Sequence, residues 1–176
     1  EILLKKYFCV PKKQVCKNIY HKNFGEEDNS FEDQLFDGCF KYCRYLEHNG
    51  KIVSMCFALP CEIRNKKALY IFGVVTDENY RSQGFATKLL EQIKKETDAI
   101  LILRPVDSNL ISFYEKLGFK EFTATNIPND LCLTPCGEFA QLAEEYKQSS
   151  CAERRGVLRG FPREKQGLPL RCGWLH

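Results

Sequence analysis

The apolar positions along this chain change period several times, and each change marks an element. Ile2 to Phe8 reads as a short strand. Two helical stretches follow, separated by Phe24-Gly25 and the acidic turn Glu26-Glu27-Asp28-Asn29-Ser30. In the second helix Phe31, Leu35, Phe36 and Phe40 recur at helical spacing, and Ser30 with Asp33 three residues on predicts the N-cap at Ser30. From Cys43 the period becomes that of a strand. Cys43 to Glu47, the turn His48-Asn49-Gly50, and Lys51 to Glu62, rich in Val, Phe and Leu, together predict an antiparallel hairpin. After Asn65-Lys66-Lys67, the run from Ala68 to Val75 is apolar enough for a central strand covered on both faces. Gly73 inside it predicts a bulge or a close backbone approach.

A compact loop, Arg81 to Ala86, leads into an amphipathic helix over about 84–97 with Leu89, Leu90 and Ile93 facing inward. Ala99 to Leu103 is another buried strand, so strand, helix and strand make a βαβ unit with parallel pairing. Ser108 to Leu117 predicts a helix ended by Gly118 as its C-cap, and Phe119 to Ala124 starts a further strand. Glu138 to Lys147 reads as helical. Residues 151–176 change character: five Arg stand against one Lys, where the chain before them has four Arg and sixteen Lys. They are read as a basic, loosely ordered tail that could have a foreign origin. The fold class that results is α/β (α+β): one domain over 1–150, with a mixed central sheet and a βαβ core flanked by helices. No internal repeat is visible.

Composition narrows this picture without redirecting it. With 176 residues, 44% hydrophobic, the chain can bury one good core and is too short for two ordinary domains. No apolar run approaches the roughly 18 to 20 residues of a membrane span, and Glu1-Ile2-Leu3-Leu4-Lys5-Lys6 lacks the order of a secretory signal. A cytoplasmic protein without a membrane partner is expected. The chain opens without Met, so residue 1 is not read as a natural start. The net charge of +3 is spread in mixed sign, which gives little ground for a nucleic-acid surface and suits an anionic small ligand. Only the Arg-rich tail would suit nucleic acid, and no nucleic-acid partner is expected. The ten cysteines contain no C-x-x-C; the spacings Cys39/Cys43 and Cys132/Cys136 are equally natural for one helix face. They are read as reduced, mostly buried thiols, and no metal is expected. His21, His48 and His176 have no partner spacing for a triad or a metal set.

The chemistry lies in the loop Arg81-Ser82-Gln83-Gly84-Phe85-Ala86, between a buried strand and a helix start, where unpaired backbone N–H groups and the helix dipole favour a phosphate. Gly84 and Ala86 would let a pyrophosphate approach the backbone, and Arg81 could add charge-assisted contacts. A glycine in such a loop is also an ordinary structural turn. The wider context decides between the two: Tyr80-Arg81-Ser82-Gln83-Gly84-Phe85-Ala86-Thr87-Lys88-Leu89-Leu90, and then Phe113-Tyr114-Glu115-Lys116-Leu117-Gly118-Phe119. Together these resemble the GNAT (Gcn5-related) N-acetyltransferase superfamily, bacterial type. The first resembles its R/Q-x-x-G-x-G/A coenzyme A loop and the second its Y-E-K-L-G-F helix end, over about residues 43–123.

The resemblance implies acetyl-CoA as co-substrate and an N-acetyltransferase acting by direct attack of a primary amine in a ternary complex. It implies that the backbone of Val74, Val75 and Thr76 pairs with the pantetheine arm as an added strand. It also implies that Arg81, Ser82, Gln83, Gly84, Phe85, Ala86 and Thr87 cradle the pyrophosphate. Two positions depart from the family pattern. Ser82 stands where glycine is frequent, at a cost of about 1 kcal/mol if φ must be positive. Asp107 stands where Asn is frequent, so a coenzyme A contact would pass to Asn109. Tyr114 is the candidate catalytic residue, since a phenol can protonate the leaving thiolate; beside Phe113 on a packed helix, it is equally a core tyrosine. Asp77 and Glu78 are the nearby carboxylates, and no general base is assigned. The acceptor is a small-molecule or peptide amine of unspecified identity, and a homodimer is compatible with the sequence. The alternative is a non-catalytic acyl-CoA-binding module.

Overall fold

The computed structural model describes residues 11–25, 29–63, 65–105, 107–123, 133–148 and 172–175. Helices α1 (Lys12–Phe24) and α2 (Ser30–Cys39) come first. Strands β1 (Cys43–His48), β2 (Lys51–Ile63) and β3 (Lys66–Thr76) form an antiparallel meander. Helix α3 (Phe85–Glu96) crosses over to β4 (Ile100–Leu103), which lies parallel to β3 from Ala68↔Ile100 to Ile71↔Leu103. Helix α4 (Ile111–Lys116) and β5 (Lys120–Thr123) follow, then β6 (Leu133–Pro135), α5 (Gly137–Gln148) and β7 (Cys172–Leu175). The sheet order is β1-β2-β3-β4-β7-β5, with β6 on β2 at Cys61 to Ile63. The architecture is therefore the expected mixed sheet with a βαβ core flanked by helices.

Local chemistry accounts for the turns. Asn49 and Gly50 both have positive φ (50° and 73°), the conformation of a two-residue hairpin turn whose twist matches its strands. Gly118 has φ +83°. Its N–H donates to the Glu115 carbonyl at 2.8 Å, and the Phe119 N–H to that of Tyr114 at 3.1 Å, which closes the end of α4 as the sequence predicts.

The core lies on both faces of β2. Phe57, Leu59 and Cys61 pack with Ile19, Tyr20, Leu35 and Phe36 of α1 and α2, and with Phe139 of α5, which stacks on Tyr70 at 6.2 Å. Cys56 and Ala58 point the other way, against Leu89, Leu90 and Ile93 of α3 and Tyr114 of α4. A strand covered on both sides has no polar face, hence the unbroken burial from Ile52 to Leu59.

Four details differ from the sequence reading. Ser30 is the first residue of α2 and Asn29 holds the cap position, where the Asn29 carbonyl accepts from the Asp33 N–H at 2.9 Å. The N-cap therefore falls one residue earlier than predicted. Gly84 and Thr97 flank α3 rather than belong to it. The predicted helix over Ser108–Leu117 divides into a 3-10 turn, Ser108–Leu110, and α4, because the Asp107 carboxylate accepts from the Asn109 N–H at 2.9 Å and tightens the first turn. Within the tail, Cys172–Leu175 is a strand between β4 and β5, paired Ile102↔Leu175 and Glu121↔Trp174. At those four residues the reading of a loose tail is corrected. The predicted strand at 2–8 and tail residues 151–171 lie outside the described residues.

Candidate active site

The parallel partner of β3 ends early. β4 pairs with β3 only as far as Ile71↔Leu103, so Phe72–Thr76 continue with no strand on that side among the described residues. On its other side this segment meets β2 through Met55↔Val75 and Ser54↔Thr76, and then the register shifts before Phe57↔Phe72. The shift gives β3 one extra residue at Gly73-Val74, the bulge that Gly73 predicts. Gly73 has φ +63°, and a Cβ there would sit 2.8 Å from Tyr20 Cε2. Both backbone and space therefore demand glycine. The result is a splayed edge: main chain open on one side, helix α1 resting on the other face.

The chain then enters the predicted loop. Asp77 N–H donates to the Val53 carbonyl at 2.9 Å, and Asp77 Oδ1 accepts from the Asn79 N–H at 2.9 Å and from Asn79 Nδ2 at 3.1 Å. Glu78 faces Lys22 at 3.7 Å. Both carboxylates weighed as bases are thus engaged at the surface. Ser82 does adopt positive φ, 60°, so the cost expected for a non-glycine residue there is incurred. Gly84 follows at φ +78°, with nothing within 4 Å of the position a Cβ would take.

Helix α3 begins immediately after. Its first intrahelical bond runs from the Lys88 N–H to the Gly84 carbonyl at 3.0 Å, which leaves the N–H groups of Phe85, Ala86 and Thr87 without an intrahelical acceptor. The first turn carries no acidic residue, and Lys94 and Lys95 lie in the last, so the helix dipole is uncompensated at its positive end. Open space at Gly84, three directed N–H groups and a first turn without acidic residues fit an anionic pyrophosphate.

Arg81 is turned elsewhere. Its Nη2 donates to Asn23 Oδ1 at 2.6 Å and its Nε to the Thr76 carbonyl at 3.4 Å. Asn23 Nδ2 in turn donates to the Ile19 carbonyl at 2.8 Å. At the surface, the guanidinium braces the loop against the end of α1. Gln83 similarly donates from Nε2 to the Asn79 carbonyl at 3.3 Å. Asn109 lies exposed in the turn before α4, its backbone bonded to Asp107.

Tyr114 packs in the same cluster as Val74 and Ile71, edge-on to Phe119 at 5.9 Å and to Phe113 at 5.0 Å. It is 6% exposed, and burial, with the Cys56 thiol second, pushes its hydroxyl up to about 12. Such a phenol keeps its proton at neutral pH, as a donor must. The structure thus places Val74–Thr76, Arg81–Thr87 and Tyr114 around one end of β3 and the α3 face beside it. Sequence reasoning missed Tyr20 and Asn23, since nothing in a helix pattern shows which side chain will meet a bulge or a loop forty residues or more away.

A family model described as an acetyltransferase (GNAT) domain matches residues 41–121. No curated protein matches the sequence. Among solved structures the chain is similar to a GCN5-related N-acetyltransferase from Anabaena variabilis, 21% identical with TM-score 0.52, over 65% of this chain and 31% of that one. It is similar also to one from Kribbella flavida (15%, TM-score 0.48, 66% and 35%) and to an acetyltransferase of the GNAT family from Staphylococcus aureus (15%, TM-score 0.49, 70% and 86%). The chain spans about a third of the length of the Anabaena and Kribbella proteins. The match to the GNAT acetyltransferase domain covers residues 41–121, the span from β1 to β5.

Proposed function

We propose that this domain binds acetyl-coenzyme A and transfers its acetyl group to a primary amine, by direct attack in a ternary complex. One observation carries the reading: the edge Val74–Thr76, which no strand among the described residues pairs on the β4 side, runs straight into a positive-φ loop and an uncompensated helix N-terminus. An extended, amide-bearing arm ending in a pyrophosphate has the matching chemistry. Val74, Val75 and Thr76 would pair with the arm. The N–H groups from Arg81 to Thr87 would hold the phosphates, Arg81 acting through its brace on the loop, and Asn109 would supply a further contact.

In the transfer the amine nitrogen bonds to the thioester carbonyl carbon and the C–S bond breaks. Backbone N–H near Val75 would polarise the carbonyl oxygen. Tyr114 would give its proton to the leaving sulfur, and the amine proton would pass to solvent. Catalysis would come chiefly from positioning. The rings of Phe24 and Phe72 pack on Tyr20, and that of Phe31 on Phe72, beside the bulge, so the acceptor would approach past α1 and α2. A small-molecule or peptide amine suits this reading.

The depth of Tyr114 supports a second reading, an acyl-CoA-binding module without turnover. Acetyl-CoA consumption, followed as free thiol across a panel of peptide, polyamine and amino-sugar acceptors, separates the two. Turnover with any of them supports the enzyme, and binding without turnover supports the module.

A further inference from the structure

The apolar run of β2 is interrupted once, by Ser54 in Ile52-Val53-Ser54-Met55-Cys56-Phe57. Ser54 is 0% exposed, and among the described residues only it and Glu32 are buried polar or charged residues. Its Oγ donates to the Val75 carbonyl at 3.0 Å and lies 3.1 Å from Thr76 Oγ1. The single Ser54 proton is committed to Val75, so the Thr76 hydroxyl donates the second bond.

The position is unusual. Against β1 the register shifts between Leu46↔Ser54 and Glu47↔Ile52, which leaves Val53 extra; against β3 it shifts between Met55↔Val75 and Phe57↔Phe72. Ser54 and Met55 thus lie between two bulges, with the ladder disturbed on both sides. On the β4 side, Val74–Thr76 have no partner strand among the described residues. Val75 and Thr76 are held by two register pairs, the Asp77–Val53 bond, the Ser54 hydroxyl and the Arg81 Nε bond to the Thr76 carbonyl.

We propose that Ser54 is a positioning residue for coenzyme A: its hydroxyl, joined to that of Thr76, holds the open edge Val74–Thr76 in the extended form with which the pantetheine arm pairs. The inference rests on the function proposed above and goes beyond it in naming what keeps the edge in shape. It predicts a selective defect. The arm depends on the edge, whereas the nucleotide depends on the loop and on α3, which Ser54 does not bond.

Titration calorimetry with two probes, acetyl-CoA and adenosine 3′-phosphate 5′-diphosphate, tests this on the full chain. Ser54→Ala is expected to weaken acetyl-CoA about tenfold, the loss of one buried hydrogen bond, and to leave the nucleotide within about twofold. Equal weakening of both probes would reduce Ser54 to a structural role, and an unchanged acetyl-CoA affinity would also overturn the proposal. If the wild-type chain binds no acetyl-CoA, the proposed function itself fails, a result separate from either. Should Ser54→Ala not fold, as judged by circular dichroism, Thr76→Val at the half-buried partner replaces it. The same selective loss, about threefold, is then expected, and its absence overturns the proposal.

Discussion

Gly73→Ala puts a number on the bulge. At φ +63°, a residue with a Cβ costs about 1–2 kcal/mol. The new methyl would also sit 2.8 Å from Tyr20 Cε2. That ring is 5% exposed and boxed by Phe36 at 5.6 Å and by Phe57 and Phe72 at 6.4 Å, so it has little room to yield. Overpacking of this kind adds about 1–3 kcal/mol. The sum, about 2–5 kcal/mol, is a large share of the roughly 5–15 kcal/mol that holds a domain of this size together. Urea unfolding followed by circular dichroism should show the midpoint falling with the slope unchanged. Adding Tyr20→Leu should return the packing share, so that the double variant is more stable than the two single losses predict by about 1–3 kcal/mol. A loss below about 1 kcal/mol for Gly73→Ala, or strict additivity, would refute the argument that backbone and Tyr20 together demand glycine.

Other outcomes follow from single sites. Tyr114→Phe should lower kcat by about 100-fold with acetyl-CoA affinity unchanged within about twofold; stopped-flow release of thiol, with an acceptor found in the amine panel, measures this, and an unchanged rate would remove Tyr114 from the reaction. Glu138 is held down to about 2 by the Lys41 ammonium and then the Tyr42 hydroxyl, which donates to its Oε2 at 2.5 Å. Its folded value lies below the ordinary 4.5, so the stabilisation is present above about pH 4.5 and fades as pH falls toward 2. The gap in Tm between wild type and Glu138→Gln should therefore narrow across that window; a constant gap would show that the cluster does not act through charge. Burial pushes Cys39 up to about 11 and Cys56 and Cys61 up to about 12. Iodoacetamide at pH 8 should spare these three in the native protein and label them in urea. Peptide mass mapping reads the result, and labelling at equal rates in both states would contradict the burial.

The features legible in the sequence are those a local pattern encodes. Asn49-Gly50 specifies its turn by φ alone, Leu89, Leu90 and Ile93 specify the buried face of α3, and Gly73 announces a bulge because few other reasons place glycine inside an apolar strand. The loop Arg81–Thr87 was legible as a motif, and Ser82 as a residue under strain. What was not legible depends on contacts between distant residues. β7 is a four-residue strand that gains its ladder only from β4 and β5, and its own sequence shows no period. The brace of Arg81 on Asn23 joins positions 58 residues apart, so no local pattern shows it. Ser54 did leave a mark, one hydroxyl residue in an apolar run, yet its meaning depends on two register shifts that no single strand displays.

Titration calorimetry with acetyl-CoA, comparing the wild-type chain with Arg81→Ala/Gly84→Glu, tests the central claim most directly. A carboxylate at Gly84 would occupy the open space at the helix N-terminus and repel a pyrophosphate, while Arg81→Ala removes the brace on the loop. The account predicts micromolar binding by the wild type and its loss in the folded double variant. No binding by a folded wild-type chain, or equal binding by both, would contradict the assignment of this loop to coenzyme A.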